Sequence, residues 1–139
     1  MDALISVPLS EKEAALKSPL SLAFLGDTVW DLMVRQELLQ SQAKAGTLHK
    51  IASQRVNAAS QAKAILILEP CLTQEELAIY HRGRNAHCHH NPPKNQTPLD
   101  YSLSSGLEAL VGYLYLTGQN ARLHELFQTA FSNENKEAY

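Results

Sequence analysis

Two segments of the chain are apolar on nearly every side of a helix, and each carries a carboxylate near its middle. In "LAFLGDTVWDLMV", residues 22–34, Leu22, Leu25, Val29 and Leu32 recur at helical spacing, as do Ala23, Asp27, Trp30 and Val34 on the opposite side. In "SSGLEALVGYLYL", residues 104–116, Leu107, Leu110 and Leu114 continue a face begun by Leu103. Ser104, Glu108, Val111 and Tyr115 line its neighbour, and Glu108 is the lone charge. A helix apolar nearly all round belongs in a core. The two segments therefore predict a pair of central helices, each with one interior acid.

The remaining signals are also helical. Ser10 with Glu13 and Thr73 with Glu76 fit the capping-box pattern, and Ser18-Pro19 and Thr97-Pro98 each set a capping hydroxyl before a proline suited to the first helical turn. They predict helices near 11–17, 19–40, 47–69, 73–86, 98–117 and 120–131. No strand pattern, internal repeat or linker interrupts them. The fold class expected is all-α, in one domain spanning 1–139 with its core at about 18–132. A chain of 139 residues buries about two-thirds of its unfolded surface, enough for one sizeable core. The start "MDALISVPLSEKEAAL" has neither a basic head nor a signal-type apolar stretch, and no run reaches bilayer length, so a cytoplasmic protein is expected. Cys71 and Cys88 are expected to be reduced thiols.

A net charge of −2 argues against a generic nucleic-acid binder, yet the charge is uneven. Residues 42–99 carry +4 and the rest −6, which points to an anionic partner on one part of the surface. The stretch "YHRGRNAHCHHNPPKNQTPL", residues 80–99, holds Arg82, Arg84 and Lys94 and no acid. Arginine's planar fork suits phosphate, Asn85 can add sugar or phosphate contacts, and Lys50 and Arg55 extend the basic surface. His87, Cys88, His89 and His90 invite a zinc reading. Adjacent ligands suit one tetrahedral site poorly, and a loop facing RNA is the preferred reading.

Ionised carboxylates leave water only when paired, hydrogen-bonded or metal-bound. The helix of Glu108 has no Lys or Arg, and Arg35 lies two turns beyond Asp27. Two readings remain open on pattern alone. Asp27 and Glu108 meet and share a hard cation such as Mg²⁺, or each opens onto solvent or neighbouring donors. Gly26, Gly106 and Gly112 cost helix propensity and argue for close helix approach. Asp31 has an ion pair with Arg35 as its plain role and a place behind a metal-bound water as its sharper one. Helix capping suffices for Asp100.

"LAFLGDTVW" resembles the signature segment of the ribonuclease III family, and "GLEALVGYLYL" resembles its second acidic helix. "RGRNAH" before a "PKN" loop and "HKIASQRVNAASQA" upstream resemble the Mini-ribonuclease III branch, which has the catalytic domain and no double-stranded-RNA-binding domain. The resemblance covers about Leu20 to Phe131. It implies a ribonuclease III endonuclease domain as a helical homodimer, with Mg²⁺-dependent endonucleolytic cleavage of double-stranded RNA. It also implies 5′-phosphate and 3′-hydroxyl products and a role in maturing the 23S ribosomal RNA precursor. Asp27 and Glu108 fall on the family's catalytic and metal positions. Ala23 and Ser105 stand where longer members carry further acids, with Asp31 and Ser105 as candidates to orient water in their place. Where the branch has a lysine soon after "RGRNA", this chain has "HCHH". A ribonuclease III-like domain that binds RNA or the ribosome without cutting is the alternative.

Overall fold

The computed structural model describes residues 8–86 and 91–132. Its helices are α1 (Glu11–Ala15), α2 (Pro19–Leu38), α3 (Ala45–Val56), α4 (Ala58–Leu68), α5 (Gln74–Asn85), α6 (Pro98–Leu116) and α7 (Asn120–Phe131), with a 3₁₀ turn at Glu69–Cys71. No strand occurs among the described residues. No helix there is long and apolar enough to cross a membrane.

The caps read from the sequence close these helices. The hydroxyls of Ser10, Ser18 and Thr97 accept backbone N–H groups of the first turns of α1, α2 and α6. Thr73 and Glu76 complete a reciprocal capping box on α5. One boundary departs from expectation: the helix predicted over 47–69 is two helices. Asn57 leaves the helical region at φ −71° and ψ 162°, and its side-chain oxygen accepts the Ser60 N–H at 2.9 Å. Asparagine offers the backbone this local alternative. The break gives α4 an N-terminus of its own.

Helix α6 is the axis of the fold, with α1, α2, α4, α5 and α7 packed around it. Residues 103–107 and 109–114 are all buried, so Glu108 alone breaks a continuous buried run. Helices α2 and α6 run in opposite senses and meet backbone to backbone. A Cβ on Gly26 would land on the Glu108 carbonyl oxygen, and one on Gly112 on the Leu22 carbonyl oxygen. Their propensity cost is thus exchanged for an approach that no other residue permits. Helix α7 covers the far half of α2, where buried Trp30 packs edge-on against Phe127 at 5.3 Å and against Phe131 at 5.7 Å.

A buried ion pair ties α5 to α7. Glu76, 4% exposed, accepts from the Arg122 guanidinium at 2.9 and 2.8 Å, and Arg122 also donates to the Cys71 carbonyl at 2.8 Å. Burial works against the Glu76 charge, but the Arg122 and Thr73 hydrogen bonds outweigh it and hold the carboxyl below its usual range. Removing the cation strands the acid, so Arg122→Ala is expected to cost about 3 kcal/mol in denaturant unfolding. Midpoints unchanged from the parent would show the pair to be incidental.

Candidate metal and RNA site

The close α2–α6 crossing brings the two lone acids together. Asp27 is exposed and not interior as its place in the α2 stripe predicts, because the side of α2 just past Gly26 opens onto a cavity instead of a neighbouring helix. Phe24 and Leu32 also face outward, so α2 is less completely enclosed than its composition predicts. Glu108 is half-buried directly beside Asp27. Burial, the Asp27 charge and a hydrogen bond shared with Asp27 push its carboxyl up to about 8.

The cavity has a volume of about 510 Å³. Asp27 contributes from α2, and Asp100, Tyr101, Ser104 and Glu108 from α6. The opposite side is the α3–α4 break with Asn57, Ala58, Ala59 and Gln61, and the rim carries Lys94, Asn95 and Gln96. The structure thus joins Asp27, Glu108 and Lys94 of the sequence candidates in one place. Asn95 takes a left-handed backbone, φ 72°, at this rim.

Other candidates lie elsewhere. Asp31 pairs with Arg35 at 2.9 Å and is absent from the cavity wall. Ser105 is buried with its carbonyl against Gly83, and Ser104 is the serine that lines the cavity. Arg82 donates to the carbonyls of Ala15 at 2.6 Å and Lys17 at 3.3 Å, a structural tie between α5 and the α1–α2 turn. Arg84 stacks 5.5 Å from the Tyr80 ring centre. Arg55 sits 5.4 Å over Phe131 and 3.9 Å from Glu37. Lys50 and Asn85 are exposed. Cys71 is a free, exposed thiol. His87, Cys88, His89 and His90 lie outside the described residues.

Sequence reasoning missed Asn57 and Gln61. The signal for Asn57 was a capping residue before "AAS", masked by the apolar pattern that runs across it. For Gln61 it was a lone amide among Ala62, Ala64 and Ile65, all buried.

Two adjacent carboxylates with no basic partner among the described residues suit a hard divalent cation. No group of three or more His, Cys, Asp or Glu placed to hold a metal occurs among those residues, so Asp27 and Glu108 are the two side chains that would hold a cation here. Without metal, the raised Glu108 carboxyl makes stability depend on pH. Its neutral form is favoured by folding, so this contribution is fully present below 4.5, the unfolded value, and is lost as pH rises through about 8. In EDTA, the melting temperature of the parent is expected to fall between pH 5 and pH 8.5 by more than that of Glu108→Gln. Parallel curves would mean that Glu108 titrates as a solvated acid.

Residues 20–119 match the family described as Ribonuclease III domain. The helical fold and the paired acids on its two central helices accord with that match, and the chain belongs to the ribonuclease III family. Its curated relatives narrow the assignment. It is 45% identical over 113 residues to the Mini-ribonuclease 3 of Symbiobacterium thermophilum, covering 81% of this chain and 86% of that protein. It is 42% identical over 122 residues to the Mini-ribonuclease 3 of Brevibacillus brevis, covering 87% and 90%. A crystal structure of a Fusobacterium nucleatum protein superposes with a TM-score of 0.78 at 29% identity, covering 86% of this chain and 95% of that one. Within the family, the chain therefore belongs with the Mini-ribonuclease 3 proteins.

Proposed function

We propose that this chain is a Mg²⁺-dependent endoribonuclease that cuts double-stranded RNA, with Asp27 and Glu108 as its catalytic, metal-holding pair. The observation that carries this reading is their juxtaposition at the floor of a polar cavity, on helices locked by Gly26 and Gly112. Asp27, on the exposed side of α2, offers a carboxylate to the cavity. Glu108, anchored in the buried run of α6, presents the second from a fixed backbone. When bound, the cation supplies charge to stabilise the phosphoryl oxygens and to activate the attacking water. A bound cation would favour the ionised form of both acids and displace the proton that the pair shares without it. Cleavage gives 5′-phosphate and 3′-hydroxyl ends.

Lys94 at the cavity rim, with exposed Lys50 and Asn85, supplies backbone contacts that fix the position of a duplex without reading its sequence. Exposed Leu20 and Phe24, one turn apart on α2 and the latter 84% exposed, offer apolar surface that supports a homodimer. Two sites related by a two-fold axis would then serve the two strands. The natural substrate in this reading is the 23S ribosomal RNA precursor in the cytoplasm.

The test is digestion of an end-labelled RNA duplex, beside its separate strands, with Mg²⁺ and with EDTA. Metal-dependent cutting confined to the duplex is expected. Tight duplex binding without cutting under any condition would favour the non-catalytic RNA-binding alternative.

A further inference from the structure

The wall opposite the carboxylates has unused hydrogen-bond donors. Gln61, in the first turn of α4, is 3% exposed and lines the cavity, and its Nε2 is buried without a hydrogen-bond partner. Rotation about the last side-chain bond exchanges the two ends of a carboxamide, which is enough to turn the donor toward the cavity. An amide kept dry and unpaired costs stability, whereas an apolar residue of similar volume would not.

The backbone beside it is equally unsatisfied. Asn57 caps the Ser60 N–H with its side chain and accepts the Gln61 N–H at its carbonyl. No described residue accepts from the N–H groups of Ala58 or Ala59. Both residues line the same cavity, so the positive end of the α4 dipole opens into it. Lys94 stands at the rim. The acids of the cavity, Asp27, Asp100 and Glu108, all come from the α2–α6 wall. The space is therefore polarised, with oxygen ligands on one wall and N–H donors on the other.

We infer that the first turn of α4, with the Gln61 carboxamide and Lys94, is a subsite for an RNA backbone phosphate held opposite the Asp27–Glu108 pair. The inference rests on the proposed action on RNA and assigns it a positioning wall. The phosphate accepts the Ala58 and Ala59 N–H groups and the Gln61 amide, which fixes the distance of the strand from the two carboxylates. The helix break at Asn57 exists to present these donors, since an unbroken helix would have used them internally.

Two variants test this, each measured for melting temperature, Mn²⁺ affinity, affinity for a fluorescent RNA duplex in EDTA, and single-turnover cleavage in Mg²⁺. Gln61→Leu removes an unpaired amide, so it is expected to melt at or above the parent and to bind Mn²⁺ equally. It is expected to lose about 10- to 100-fold in duplex affinity and cleavage together. Ala59→Asp, at an exposed position of the helix N-terminus, should preserve or raise stability while lowering duplex affinity about tenfold by repulsion. Parental affinity and cleavage in both variants would overturn the subsite while leaving the nuclease reading intact. If the parent binds the duplex without cutting it, and both variants lose binding, the subsite stands and the nuclease reading falls. A parent that neither binds nor cuts overturns both.

Discussion

Asp27→Asn and Glu108→Gln are each expected to lower duplex cleavage by at least about 10³-fold while leaving the fold intact. The two acids face each other across the α2–α6 crossing, with Glu108 held up to about 8 by burial and by Asp27. Without metal at neutral pH the pair already shares a proton, and either amide can keep a hydrogen bond to the remaining carboxyl, so metal-free stability should stay near parental. Loss of function with no loss of stability separates a ligand role from a packing role. The controls are circular dichroism, melting temperature in EDTA and duplex affinity in EDTA, all expected near parental. A variant that still cuts at a rate within about tenfold of the parent would show that its carboxylate is dispensable.

Gly26→Ala is expected to have the largest effect on stability, above about 4 kcal/mol, and to leave little folded protein at 37 °C. The added carbon would overlap the Glu108 carbonyl oxygen, and its next neighbours, the Glu108 carbonyl carbon at 2.7 Å and the Gly112 nitrogen at 2.8 Å, are also backbone atoms. No rotamer change relieves such a clash. The helices must separate, which opens the core around Leu22, Leu107 and Leu110, all almost fully buried. The same separation would move Asp27 away from Glu108, so any folded remainder should cleave poorly as well. Gly46→Ala is the control, since nothing lies within 4 Å of its added carbon and it should gain helix propensity. Equal denaturation midpoints for the two variants would contradict the packing described here.

The helical architecture was legible because the local signals agreed with one another. Capping hydroxyls at Ser10, Ser18, Thr73 and Thr97 and prolines at Pro19 and Pro98 mark starts that tertiary packing had no reason to overrule. The pairing of Asp27 with Glu108 was legible as one of two open readings, and the glycines pointed to proximity. What stayed hidden depends on which side of an apolar helix is covered. Leu32 reads as a core residue and is exposed. Arg82 reads as a phosphate ligand, but its guanidinium is spent on two carbonyls far away in sequence. The break at Asn57 and the buried amide of Gln61 were hidden by the alanines around them, whose helical signal runs straight through the break.

The most direct test of the account is Mn²⁺ binding, followed by electron paramagnetic resonance, to the parent, Asp27→Asn and Glu108→Gln. One class of site per chain in the parent, weakened at least about tenfold in either variant, is the expected result. Unchanged Mn²⁺ affinity in both variants would contradict the claim that this pair of acids is kept to hold the metal.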